Sequence, residues 1–233
     1  FIGSRRSVDV MVRSFMFDYG ALFNTDLSND LSLSVGLTYS QKVKLNAEQT
    51  LFVRSFEEDA DTDVEYIIDT ITNISHDTKI TMPQGFGIGV ALQKNDRWTI
   101  GADFNWMQWS QFAREGVTDA LQDSWSASVC AEFTPRHTSI SGYFSRVTYR
   151  FGGFYQQSCL SLDGNDGQSH SINKVGITAG MSLPLARTMS RFNLSFEVGQ
   201  FGTREGGLIQ ERYAKMNVGI SVFEHWFMKR KYK

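Results

Sequence analysis

The sequence lacks any long hydrophobic run, and no segment approaches the roughly 18 apolar residues that a membrane-spanning helix needs. It has only 3 prolines and 2 cysteines in 233 residues. Two cysteines are too few for a disulfide-stapled scaffold, and we expect Cys130 and Cys159 to be unpaired. Acidic and basic residues nearly balance, at a net charge of −2, so the composition gives no reason to expect a nucleic-acid partner.

Catalytic and metal-binding motifs are also missing from the sequence. The 4 histidines are scattered along the chain, and no nucleophile elbow, phosphate-binding loop or zinc-ligand spacing occurs. His170 and Ser171 are neighbours, but adjacent residues of a strand point to opposite faces, so they cannot form a dyad there. The segment Asp163–Gly167 lacks the full ligand pattern of a calcium loop and predicts a turn. We therefore expect neither an enzyme nor a cofactor.

What the sequence does contain is apolar side chains at every second position of many segments. A period of two places the apolar set on one face of a β-strand and the intervening Gly, Ser, Thr and Asn on the other. The spacing of these segments predicts hairpins and leaves no room for βαβ units. The nine predicted strands are Phe15–Asn24, Leu31–Leu45, Phe86–Gln93, Trp98–Phe112, Trp125–Phe133, Val147–Gln156, Asn173–Leu183, Phe192–Phe201 and Tyr213–Phe223.

The alternation is compatible with a soluble barrel or sandwich and with a membrane barrel. A soluble one should carry Lys, Glu and Thr in quantity on its outer face. Here the polar set is mostly small, with single charges, which favours a crowded lumen. We predict an all-β fold, an antiparallel transmembrane β-barrel forming a single domain over residues 1–233, in a bacterial outer membrane of lipid and lipopolysaccharide.

In such a barrel the apolar set faces lipid and the polar set faces the lumen, as for Val218 against Asn217. The charges on the polar set could form a permeation path. We favour a structural network of paired charges, because ions away from bulk water need partners. The polar residues predicted to face the lumen are Asp18, Lys42, Asp103, Asn105, Glu132, Arg150, Lys174, Glu197 and Lys215.

The lengths of the connections predict the orientation. Bacterial barrels have short periplasmic turns, longer outer loops and periplasmic termini. Counting backwards from a periplasmic C-terminus places the tight turn 94–96 in the periplasm and the long polar connection 46–82 outside. Within that connection, Thr50–Phe56 and Val64–Thr72 could extend strands above the membrane. The predicted periplasmic interface anchors are Trp98, Trp125, Trp226 and Phe227.

Several segments resemble a known family. Met82–Gly89, followed by Trp98 and then Asp103–Phe112, is similar to the FadL family of outer-membrane channels, with a strand started by proline, a short turn and a strand ending in an aromatic-Ser-x-Phe pattern. The C-terminal part resembles the Bacteroidetes branch of that family. The segments that carry the second resemblance are Tyr149–Gly152, Gly180–Leu185, Glu197–Thr203, Glu211–Tyr213 and Trp226–Lys231.

The resemblance implies a 14-stranded barrel that takes up hydrophobic small molecules, such as long-chain fatty acids, through an N-terminal hatch. No hatch is visible, and the first predicted strand runs downward. We therefore expect an odd number of strands, five for a 14-stranded barrel, to precede Phe15. The alternative is a FadL-like barrel that serves as a structural subunit of a larger secretion or barrel-assembly complex. The apolar candidates for a ligand-access or partner surface are Leu51, Phe52, Phe56, Ile67, Ile68 and Phe112.

Overall fold

The computed structural model describes residues 2–58, 65–95, 97–115, 121–136, 142–185 and 190–222. These residues form two antiparallel sheets with three single-turn 3-10 helices, which confirms the predicted all-β antiparallel class. In this part of the chain no helix is long and apolar enough to cross a membrane. The strands are β1 (Ile2–Val12), β2 (Asp18–Ser28), β3 (Leu31–Ser40), β4 (Val43–Glu58), β5 (Glu65–Met82), β6 (Gly85–Lys94), β7 (Trp98–Met107), β8 (Ala113–Arg114), β9 (Ser124–Phe133), β10 (Thr148–Asp163), β11 (Ser169–Pro184), β12 (Arg191–Gly202) and β13 (Gln210–Ser221).

The main sheet contains nine strands in the order β13-β12-β11-β10-β9-β7-β6-β3-β2. Each of them coincides with one of the nine predicted segments, although several bounds differ. Strand β2 runs on to Ser28, so the predicted turn over residues 25–30 shrinks to Asn29 and Asp30. Strands β10 and β11 are both longer than predicted. Strand β10 ends at Asp163 and β11 begins at Ser169, on either side of the turn that the sequence indicates.

The second sheet, in the order β1-β4-β5-β8, corrects the sequence-based prediction of a long polar connection. Residues 43–58 and 65–82 form a paired hairpin. The suggested extension Thr50–Phe56 lies in its first strand, and residues 65–72, the described part of the suggested extension Val64–Thr72, lie in its second. Strand β1 was not predicted, and it pairs with β4 along its whole length. We call this four-stranded unit the distal sheet.

The distal sheet grows out of one end of the main sheet. Strand β3 stops at Ser40 and the chain resumes at β4 after two residues, and Pro83 and Gln84 separate β5 from β6 in the same way. At this joint the Gln84 side-chain amide donates to Oε1 of Gln108 at 3.0 Å, and the Gln108 backbone N–H donates to the Gln84 carbonyl at 2.9 Å. We call this end of the main sheet the loop end, and the end with the turns near 29–30 and 94–97 the turn end.

Burial in the main sheet is the reverse of that in a soluble protein. The side chains of Ile177 and Val218 are 69% and 56% exposed, whereas Ser182 is completely buried. The buried hydrophobic residues of the described chain are only Ala47, Ile80, Val147 and Ile172. An apolar face this extensive and this exposed is typical of a surface that meets lipid or another protein.

Two rows of aromatic side chains border the apolar face. At the loop end, cross-strand pairing lines up Tyr19, Tyr39, Phe86, Trp106 and Trp125. The rows are eight residues apart along a strand, which is about 27 Å at about 3.3 Å per residue. With a strand tilt of about 40°, that spacing becomes about 20 Å, close to the height of the apolar band of an outer-membrane barrel. At the turn end, pairing lines up Trp98, Phe133 and Tyr149.

The rows correct the prediction that Trp98 and Trp125 anchor the same interface. Trp98 pairs with Phe133 at the turn end, while Trp125 pairs with Trp106 at the loop end. The reason is the antiparallel order of β7 and β9, because Trp98 begins the first strand and Trp125 begins the second. The other two predicted anchors, Trp226 and Phe227, lie outside the described residues.

Candidate functional site

The polar face of the main sheet carries a cluster of charged and aromatic side chains on β10 to β13. The Lys174 ammonium lies 3.5 Å from the Glu197 carboxylate, and the Tyr213 hydroxyl donates to the same carboxylate oxygen at 2.7 Å. The ammonium of Lys174 is also 4.9 Å from the ring centroid of Phe154, and that of Lys215 is 5.0 Å from the ring of Tyr213. We call these five residues the Lys174 cluster.

Two glycines give the cluster its shape. A Cβ at Gly176 would lie 2.8 Å from the ring of Phe154, and one at Gly199 would lie 2.7 Å from the Tyr213 hydroxyl oxygen and 2.6 Å from a backbone oxygen. Both aromatic rings therefore lie flat across a glycine of the neighbouring strand. Because cross-strand register decides which residues meet, an aromatic and a glycine on adjacent strands can fill the polar face without a side chain between them.

A second ion pair links β9 to β10. The guanidinium of Arg150 donates to Glu132 at 2.7 Å, and the two residues are direct cross-strand partners. Thus four of the predicted lumen residues pair with each other in two couples. Asp18 and Asp103 have no ion pair among the described residues. Their placement, and that of Asn105 and Lys215, in a lumen remains a proposal.

At Lys42 the basis of the prediction fails. The sequence suggested one strand over residues 31–45, and alternation along it placed Lys42 in the lumen. In the structure β3 ends at Ser40 and β4 begins at Val43. Lys42 therefore lies exposed in the joint between the two sheets, where strand alternation no longer decides its direction.

The apolar residues proposed as one access surface lie on both faces of the distal sheet. Phe56 pairs with Ile67, so their side chains share a face, and Arg5 covers the Phe56 ring at 5.1 Å. Leu51 and Phe52 are consecutive in β4 and point to opposite faces. The sixth residue of the set, Phe112, packs on Trp109 at the joint, with ring centroids 5.8 Å apart. The set therefore does not form one continuous patch.

A cavity of about 390 Å³ opens at the loop end near the joint. Cavities of this size with aromatic walls and a few polar groups are typical of small-molecule sites. Its lining includes Trp109 at the joint and the polar-face residues Thr38, Asn105 and Gln156. Phe86, Trp106 and Trp125 also contribute to the lining, although their side chains belong to the row on the apolar face.

Beyond the loop-end aromatic row, His170 ties two loops together. Its ring nitrogens lie 2.9 Å from the Asp166 carboxylate and 3.3 Å from that of Glu205. The hydrogen bond that the His170 ring donates to the Asp166 carboxylate and the negative charges of both carboxylates raise the pKa of His170, although burial opposes this. The Asp166 pKa is lowered by hydrogen bonds from the Gln168 backbone and from His170. His170 therefore bridges the two loops, and both contacts strengthen when it is protonated. No group of three or more His, Cys, Asp or Glu residues in the described ranges could hold a metal ion.

Comparison with known proteins identifies the family of this chain. The BamG family matches the chain over residues 1–233. The chain belongs to the BamG family. This is an outer-membrane family related to barrel assembly.

Other comparisons add little to the BamG assignment. No curated protein matches this BamG-family chain. Among solved structures, a monoaromatic hydrocarbon channel, CymD, is similar with 14% identity and a TM-score of 0.43. The alignment covers 87% of this chain and 50% of the channel, so the chain spans half of the channel's length. The resemblance to the FadL family remains a prediction.

Sequence reasoning missed the residues that organise the polar face of this BamG-family sheet. Phe154 and Tyr213 looked like ordinary strand residues, and Gly176 and Gly199 like members of the small polar set. Their partnership depends on register, which pairs Phe154 with Gly176 and Gly199 with Tyr213. A glycine and an aromatic residue at the same level of adjacent strands was the only available signal.

Proposed function

We propose that this chain is a non-catalytic outer-membrane β-barrel that serves as an accessory subunit of a barrel-assembly complex. The observation that carries the proposal is the family match over the whole chain. The two aromatic rows support a membrane-spanning band about 20 Å high, and the short connections support a periplasmic turn end and C-terminus.

The chemistry of the polar face supports a structural role. Lys174 and Glu197 neutralise each other, as do Glu132 and Arg150, and Phe154 and Tyr213 cover glycines where a wider path would need open space. A lumen filled in this manner rigidifies a barrel. The exposed distal sheet offers protein partners a surface on the side away from the turns.

The test is isolation of the tagged full-length protein from native outer membranes in mild detergent. We expect barrel-assembly proteins to co-purify in a constant ratio through a second column. As a control, an unrelated outer-membrane barrel of similar abundance carries the same tag. Recovery of the protein alone, at the level of that control, would contradict the subunit proposal.

A second candidate is a channel for hydrophobic small molecules, favoured by the aromatic cavity at the joint. Its test is binding and uptake of a long-chain fatty acid by the full-length protein. We expect Trp109→Glu, inside the cavity, to abolish binding, and Tyr66→Glu, on the distal sheet, to leave it unchanged. Equal binding by both variants would exclude this cavity as the site.

A further inference from the structure

A second cavity, of about 330 Å³, lies at the turn end of the main sheet. It is built by the β6–β7 turn, the end of β9 and the first residues of β10 and β12. The turn is held in place because the Thr134 backbone N–H donates to the Arg97 carbonyl at 2.7 Å. Its lining is Gln93, Asn95, Arg97, Trp98, Thr99, Glu132, Thr134, Thr148 and Arg191.

The charge balance of this cavity is positive. Two guanidinium groups, those of Arg97 and Arg191, line it, and neither has a carboxylate partner among the described residues. Among the described residues, the carboxylate that lines the cavity is that of Glu132, which is already paired with Arg150 at 2.7 Å. An oxyanion that entered the cavity would therefore meet two positive charges that no carboxylate of the described residues compensates.

The floor of the cavity offers a directed hydroxyl. Thr148 is 1% exposed and Thr134 is 8% exposed, and their hydroxyl oxygens lie 2.9 Å apart. The Arg191 guanidinium donates to the Thr148 oxygen at 3.2 Å. If Thr148 in turn donates to Thr134, the Thr134 proton is left free to point away from the pair, into the cavity. This chain of hydrogen bonds favours an acceptor with several oxygens.

We propose that this cavity binds a phosphate group. Two guanidinium groups, a threonine hydroxyl pair and neighbouring side-chain amides suit a tetrahedral oxyanion better than a single carboxylate, because a guanidinium can donate two parallel hydrogen bonds. At about 30 Å³ per water, the volume corresponds to about ten waters, which is enough for a phosphate and part of what it is attached to. Trp98, in the turn-end aromatic row, places the cavity at the level of lipid headgroups.

The phosphate can come from two sources, a phospholipid headgroup or a soluble phosphate ester. One arm of the experiment titrates inorganic phosphate and glycerol phosphate into the full-length protein in phosphatidylcholine nanodiscs. The other compares nanodiscs with and without phosphatidylglycerol and measures retained lipid by native mass spectrometry. Binding of inorganic phosphate or glycerol phosphate identifies a soluble ligand. Retention of phosphatidylglycerol without binding of either soluble phosphate identifies a lipid.

The deciding variants are Arg97→Gln and Arg191→Gln, with Arg212→Gln at the loop end as the matched control. We expect each cavity variant to weaken binding or retention about tenfold, the effect of one lost charge-assisted hydrogen bond, and Arg212→Gln to have no effect. Arg97 decides alone if Arg191→Gln fails to fold, because its guanidinium bonds to no described residue. No phosphate binding in either arm, or equal binding by wild type and Arg97→Gln, would overturn the proposal.

Discussion

Replacing Val129 by arginine tests the membrane band directly. Val129 lies on the apolar face of β9, 61% exposed, four residues from Trp125 and four from Phe133. It is therefore about 10 Å from each aromatic row along the membrane normal, which is the midplane of the proposed band. An arginine at the midplane of an outer-membrane barrel costs about 2–4 kcal/mol, whereas one near an interface costs about 0–1 kcal/mol.

The control is another exposed apolar residue, one that lies beyond the band. Leu162 of β10 is 48% exposed, and it lies five residues past Gln157, which is level with Trp125. We expect Leu162→Arg to change the free energy of unfolding by less than about 0.5 kcal/mol, as for an ordinary surface substitution. The comparison isolates depth in the membrane from the loss of an apolar side chain.

The assay is reversible unfolding of the full-length protein in lipid vesicles by urea, followed by tryptophan fluorescence, with the heat-dependent gel shift of folded barrels as a second readout. An unfolding midpoint for Val129→Arg equal to that of Leu162→Arg would refute the band. A cost for Ser128→Arg, on the polar face, above that of Val129→Arg would show that the lipid face is assigned to the wrong side.

Two further perturbations test the polar face and the loop end. Gly199→Ala places a Cβ 2.6 Å from the Val175 carbonyl oxygen and should lower the free energy of unfolding by about 1–3 kcal/mol. The control is Gly219→Ala, whose Cβ meets nothing within 4 Å and which should be nearly neutral. Equal costs for the two variants would mean that Tyr213 does not lie across Gly199. Because the His170 pKa is raised, its bridge to Asp166 and Glu205 stabilises the folded loops at low pH and is lost as pH rises through that pKa. The protection of residues 164–170 and 205–208 against amide exchange, expressed relative to the intrinsic exchange rate at each pH, should therefore fall from acidic to alkaline pH in wild type and stay constant in His170→Phe.

The sequence predicted the main sheet well because period-two alternation is strong wherever one face of a strand is apolar. It failed for the distal sheet. Strand β4 carries Glu48, Gln49 and Thr50 in succession, and irregularities in register at Val53 and Phe56 interrupt its period. With polar residues on both faces, such a strand cannot be distinguished from a loop by alternation.

The candidate sites could be predicted only in part. Alternation placed Lys174, Glu197, Glu132 and Arg150 on one face, but one strand contains no information about its register with the next. The ion pairs and the aromatic rings across glycines depend on that register, whereas the opposite ends of Trp98 and Trp125 follow from the antiparallel order of β7 and β9. The turn-end cavity depends further on four elements meeting, which no local pattern encodes.

The short breaks that separate the distal sheet from the main sheet at the joint have a mechanical consequence. Strand β4 has 16 residues and is about 53 Å long at about 3.3 Å per residue, roughly twice the height of an outer-membrane apolar band. Paired to β5 along this length, it forms a lever whose pivot is the glutamine-linked joint. Tilting the lever by about 10° would carry the far end of β4 through about 9 Å. A sub-ångström adjustment between Gln84 and Gln108 would therefore move a partner bound at that end by the length of a protein side chain.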